Sequence, residues 1–184
     1  AYIPVWGTYV TTPTVTKKFA KVDVQTKIVL PEGANAGKYS VKTSVWNSNG
    51  QKLTEQTTPL SQIKYNENSL SQEFIIQTPT LWSLDMPALY SAETRLYEGD
   101  KLKDIYTTPF GIRSIEIIPN KGFFLNGEKT VFKGVCNHHD LGPLGAAVND
   151  AAIRRQIRIL KDMGCNAIRT SHNMPAPELV KACD

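Results

Sequence analysis

Cysteine is scarce in this sequence. Cys136, Cys165 and Cys183 are the only three, an odd number with no close pair, which argues against a disulfide framework. Their spacing matches no zinc-knuckle pattern, so small buried thiols are the expected role. Long apolar runs are missing too, and none approaches the ~20 residues of a membrane span. The opening AYIPVWGTYVTTP lacks a charged start followed by a short apolar core. No signal peptide is read there, and a leader, if any, is expected outside these residues. Concentrated charge is also lacking, because the net charge of +4 is spread along the chain. The densest basic group is Arg154, Arg155, Arg158 and Lys161, on one predicted helix. The aromatics lie elsewhere, which argues against a nucleic-acid surface of basic and stacking residues. Histidine is as rare as cysteine, and His138, His139 and His172 all fall in the last quarter.

What is present is ordinary globular material, 41% hydrophobic and 21% charged. That is enough for one large domain or two small ones with a real core. From Thr14 to about Ile118 the pattern has period two. Val22, Val24, Thr26, Ile28 and Leu30 alternate, as do Tyr39, Val41, Thr43 and Val45. Leu70, Gln72, Phe74 and Ile76 share one face, and so do Tyr90, Ala92, Thr94 and Leu96. Such alternation means strands with one dry and one wet face. The turn formers PEGANAG, NSNG, YNENS and YEGDK separate the runs. The spacing predicts an antiparallel sandwich of about seven strands. Trp46 and Trp82 are expected core anchors, with stacking on a sugar as the alternative role.

The rhythm then changes. KGFFLNGEKTVFKGV holds two apolar runs around Asn126-Gly127, a hairpin signal because a type I′ turn needs positive φ at both central residues. In NDAAIRRQIRILKDMG, Ile153, Ile157, Leu160 and Met163 recur at helical spacing. Asn149 or Asp150 can cap the start, and Gly164 can end the helix. The short apolar CNAIRTS follows, then PAPELVKACD, where Pro177 suits a first helical turn. Strand, helix, strand, helix predicts a βαβ unit with parallel strands and a right-handed crossover. Such a unit cannot cover both faces of its own sheet, and a full eight-fold barrel needs roughly 250 residues. The expected architecture is therefore a sandwich followed by the opening of a larger α/β domain.

His138 and His139 follow a strand predicted to end near Val135. Arg169, Ser171, His172 and Asn173 come at the end of the next parallel strand. Ligands bind at the carboxyl ends of strands in such sheets, and neighbouring strands lie about 4.8 Å apart. Both polar groups can therefore reach one ligand, although the same residues can also simply satisfy loop backbone. A metal cluster of His138, His139, Asp140 and His172 is disfavoured, because neighbours on a strand face opposite ways. No metal or other cofactor is expected. Ser171 and His172 form no nucleophile elbow. Histidine, arginine and asparagine together suit the oxygens of a hydroxyl-rich ligand.

These stretches resemble glycoside hydrolase family 2, the β-galactosidase, β-glucuronidase and β-mannosidase group. LWSLDMPALY looks like its sandwich motif, and TTPFGIRSIEI like its passage from sandwich to barrel. GFFLNGEKTVFKGVCNHHD is similar to its first barrel hairpin and strand, and NAIRTSHNMP to its second barrel strand. PVWGTYVTTPTVT looks like the exit from a preceding jelly-roll domain. The resemblance implies an immunoglobulin-like β-sandwich at residues 1–112, with residues 1–13 leading out of that earlier domain. Residues 113–184 would be the first βαβα part of a (β/α)8 TIM barrel. It implies that His138 and His172 contact sugar, that Arg169 supports a nucleophilic carboxylate, and, more weakly, that His139 and Asn173 join them. Cys136-Asn137 departs from the more polar pair of well-known β-galactosidases and leaves the sugar open. The implied reaction is retaining hydrolysis of a β-glycosidic bond, with β-galactosides favoured. Its two catalytic glutamates lie on later barrel strands, so this stretch alone is expected to be inactive. A non-catalytic carbohydrate-binding or adhesion sandwich is the alternative. The expected partner is a carbohydrate, with neither nucleic acid nor membrane. Self-association is also expected through residues after about 120, where Ile153, Ile157, Leu160 and Ile168 would be uncovered. Localisation stays open, with export favoured.

Overall fold

A computed structural model describes residues 1–62 and 69–184. The YNENS turn signal lies outside the described residues except for its last, Ser69. Two compact units divide the chain at Ser114/Ile115.

In the first unit the alternating runs become β1 (Thr8–Val15), β2 (Phe19–Lys27), β3 (Tyr39–Trp46), β4 (Lys52–Pro59), β5 (Ser69–Gln77), β6 (Leu89–Glu98) and β7 (Lys101–Gly111). They form two antiparallel sheets, β1-β2-β5 and β4-β3-β6-β7. Strand β1 begins at Thr8, so the last six of the first 13 residues already belong to the sandwich. Every second side chain points between the sheets. Val22, Val24, Phe74 and Ile76 from one sheet meet Val45, Tyr90, Ala92 and Phe110 from the other. Burying each such side chain stabilises by roughly 1.5–3 kcal/mol. Some inward polar groups find partners within the core, although the Thr26 hydroxyl and Gln72 Oε1 are buried without one. Gln72 donates to Thr58 Oγ1 at 3.1 Å and to the Gln56 carbonyl at 3.2 Å, and the Thr43 and Thr94 hydroxyls lie 3.3 Å apart.

The tryptophans are not core anchors. Trp46 and Trp82 are only partly buried, and Trp6 is 72% exposed. Trp82 lies over Gly111, where a Cβ would come within 3.0 Å of its side chain, and the Arg113 guanidinium sits 4.7 Å from its ring centroid. It therefore closes the sandwich at its margin.

The second unit opens with a meander of β8 (Ile115–Ile118), β9 (Gly122–Leu125) and β10 (Glu128–Lys129). Asn126 and Gly127 have φ of 52° and 81°, the left-handed pair that a type I′ turn demands. Next come β11 (Gly134–His138), α1 (Asp150–Asp162), β12 (Ala167–Ser171) and α2 (Pro177–Cys183). Strands β11 and β12 pair in parallel, from Gly134 opposite Ala167 to His138 opposite Ser171. Asn149 Oδ1 accepts the Ala152 amide at 3.0 Å and caps α1, and Gly164 follows its end with φ of 85°.

Three expectations are corrected here. Strand β11 runs on to His138 instead of ending near Val135, because its polar tail is held by pairing with β12. The cysteines are not all buried: Cys136 and Cys183 are exposed and Cys165 intermediate, and all three are free. The helix face of Ile153, Ile157 and Leu160 is not bare either. Ile153 is buried and the other two, like Ile168, are half-covered within the unit. Met163 is 69% exposed because it stands beyond the last helical turn.

Candidate functional site

Alternation along the paired strands sets two faces. Gly134, Cys136 and His138 of β11 share one face with Ala167, Arg169 and Ser171 of β12. Val135, Asn137, Ile168 and Thr170 take the other, beneath the helices. Gly134 is required where it stands, because a Cβ there would sit 1.8 Å from the Ala167 carbonyl oxygen. Asn166 ties the strand starts together. Its Oδ1 accepts the Lys133 amide at 2.8 Å, and its Nδ2 donates to the Val131 carbonyl at 3.0 Å.

Arg169 organises the first face. Its Nη1 donates to Cys136 Sγ at 3.0 Å and to Ser171 Oγ at 2.9 Å. Its Nη2 lies 3.4 Å from His172 Nδ1. Cys136 and Ser171 are themselves hydrogen-bonded across the strand pair. The His172 ring stands edge-on to His138, with centroids 5.7 Å apart and planes at 85°. The Ser171 hydroxyl, and then the Arg169 guanidinium, hold the Cys136 thiol below its usual value of 9.0. No carboxylate among the described residues is ion-paired to Arg169.

Of the five residues singled out in the sequence, the structure therefore brings three together: His138, Arg169 and His172. His139 and Asn173 make no hydrogen bond or ring contact with these three. They line an open hollow beneath the helices that His138 and Ser171 also border, together with Asn137, Gln156, Thr170 and Leu179. Chemistry favours the arginine face over the hollow, because there a fixed cation, two imidazoles, a hydroxyl and a thiol converge. Such a group can donate several hydrogen bonds to sugar hydroxyls or to a carboxylate. Among the described residues, no group of three or more His, Cys, Asp or Glu side chains could hold a metal ion.

Cys136 is the site residue that sequence reasoning missed, and Ser171 was named at the strand end without a binding role. The signal was available as two-residue spacing, Cys136 with His138 and Arg169 with Ser171. The register that sets Cys136 opposite Arg169 was not.

Residues 2–113 match the family described as glycosyl hydrolases family 2, and residues 116–184 match the TIM barrel domain of that family. The chain belongs to glycosyl hydrolase family 2. It is 44% identical over 179 residues to the β-galactosidase BoGH2A of Bacteroides ovatus, covering 97% of this chain and 21% of that protein. It is 31% identical over 168 residues to a β-glucuronidase of Bacteroides fragilis, covering 90% of this chain and 24% of that one. A solved family 2 member from Bacteroides cellulosilyticus superposes with a TM-score of 0.89 at 38% identity, over 99% of this chain and 23% of that one. The chain thus spans about a fifth to a quarter of the length of these family 2 relatives. Membership establishes the fold class as an immunoglobulin-like sandwich followed by the βαβα opening of a (β/α)8 barrel.

Proposed function

We propose that these residues form part of a retaining β-glycosidase acting on terminal β-linked sugars, with a β-galactoside as substrate. His138 and His172 contact the sugar, Arg169 holds a carboxylate in place, and His139 and Asn173 join in binding the substrate from the adjoining hollow. The observation that carries this reading is the convergence of His138, Arg169 and His172 at the carboxyl ends of two parallel strands. The 44% identity to a β-galactosidase supports the galactoside over the glucuronide. A sandwich serving only adhesion or carbohydrate binding would have no need of the second unit.

Retaining hydrolysis requires two carboxyl groups about 5–5.5 Å apart. None of the six strand positions on the arginine face is acidic. The 184 residues alone are therefore expected not to turn over a nitrophenyl β-galactoside. Grafting them onto the B. ovatus enzyme in place of its matching segment should give a chimera that cleaves galactoside in preference to glucuronide. His138→Ala or His172→Ala in that chimera should cost at least about tenfold in kcat/KM, about one lost hydrogen bond to a sugar oxygen. Preference for glucuronide, or turnover by the chain alone, would overturn the proposal.

We also propose that the isolated chain associates with a second copy through apolar residues after about 120 that are left exposed in the second unit, among them Val131 and Phe132, which are 63% and 61% exposed. Light scattering should show mass rising with concentration and falling back in V131K. A monomer at high concentration would end this idea.

A further inference from the structure

Three of the contacts around Arg169 have only one possible direction. A guanidinium carries donors and no acceptor. Its Nη2 can therefore engage His172 Nδ1, 3.4 Å away, only if that nitrogen presents a lone pair. In a neutral imidazole the proton then resides on Nε2, since the bond made by one ring nitrogen decides the state of the other. Nη1 has two hydrogens. One goes to Ser171 Oγ at 2.9 Å and the other to Cys136 Sγ at 3.0 Å. Ser171 then has its own hydrogen left for the Cys136 sulfur. With that hydrogen placed on the sulfur, Cys136 accepts twice, and Ser171 accepts once and donates once.

We propose that Cys136 is a positioning residue: together with Ser171 it anchors the Arg169 guanidinium, which in turn locks His172 as the Nε2–H tautomer. The imidazole so held offers a ligand a donor at Nε2 and no acceptor at Nδ1. It therefore selects a ligand oxygen that can accept, such as a hydroxyl or carboxylate oxygen, at that point. The lowered thiol pKa agrees with a sulfur that receives hydrogen bonds. Cys136 acts here through geometry alone, two residues before His138 on the same face of β11.

The assignment uses the reading of His172 as a sugar contact but is tested without sugar. Long-range proton–nitrogen NMR on the 184-residue chain reads the tautomer of each imidazole. His172 should show an unprotonated Nδ1 and a protonated Nε2. C136A, which deletes the sulfur acceptor, should move both nitrogens toward the averaged positions of a free imidazole. C136S, which restores an acceptor, should return them, and His139 should not respond to either change. R169K keeps the charge but lacks the fork, and should release the tautomer even if C136A fails to fold. A wild-type His172 with a protonated Nδ1 or averaged nitrogens overturns the proposal outright. So does a folded C136A with unchanged His172 signals. A locked His172 in a chain whose chimera ignores galactosides would defeat the functional reading and leave this one standing.

Discussion

At the scale of single residues, the two exposed thiols differ because their neighbours differ. Cys136 receives hydrogen bonds from Ser171 and Arg169, which favour its thiolate. Cys183 is pushed above 9.0 by burial first and by the nearby Asp184 carboxylate second. Alkylation proceeds through the thiolate. In an iodoacetamide pH series resolved by peptide mass, Cys136 should label at lower pH than Cys183. The reverse order would contradict the hydrogen bonding described around Arg169. The sequence assigned all three cysteines a buried role because spacing carries no information about what lies across a parallel strand pair. It did single out His138, Arg169 and His172, because polar side chains at strand ends stand out against an apolar run. His139 was grouped with His138 although the alternation that disfavoured a shared metal ion also disfavours a shared ligand.

At the scale of elements, local chemistry and tertiary register divide the credit. The Asn126-Gly127 turn, the Asn149 cap and the Gly164 stop were legible because each depends on residues within one turn of the chain. The parallel register was not, and Gly134 shows its cost. G134A would drive a methyl into the Ala167 carbonyl, so β11 and β12 must separate. The expected loss is about 1–3 kcal/mol, measured by chemical denaturation of the second unit, together with loss of the contact between the His138 and His172 rings. N149A should cost about 1 kcal/mol through the exposed α1 amides. In the sandwich, β3 and β4 are joined by Glu55, which meets Lys52 at 2.7 Å and Lys42 at 3.2 Å. Lys52 first and Lys42 second hold its carboxyl at about 2, down from 4.5. A depressed carboxylate pKa stabilises the fold above the unfolded value, and that contribution fades as pH falls toward about 2. All three side chains are more than a third exposed or close to it, so the contribution to stability is small. The direct check is an NMR titration in which the Glu55 midpoint lies near 2 and rises in K52M.

At the scale of the whole molecule, two units with different periodicities fold from one chain. That change of rhythm was legible because the four alternating runs cannot be mistaken for a βαβ unit. The pairing of runs into sheets of three and four strands was not, since alternation reveals faces and not neighbours. The aromatic inventory divides along the same boundary. Every tryptophan and tyrosine precedes Ser114, and every histidine follows it. Ultraviolet absorbance near 280 nm and intrinsic fluorescence are consequently blind to the second unit, while imidazole resonances see nothing else. A melt of G134A followed by emission should therefore overlay the wild type even as its histidine spectrum collapses. Any laboratory following this chain by fluorescence alone would be watching only its scaffold.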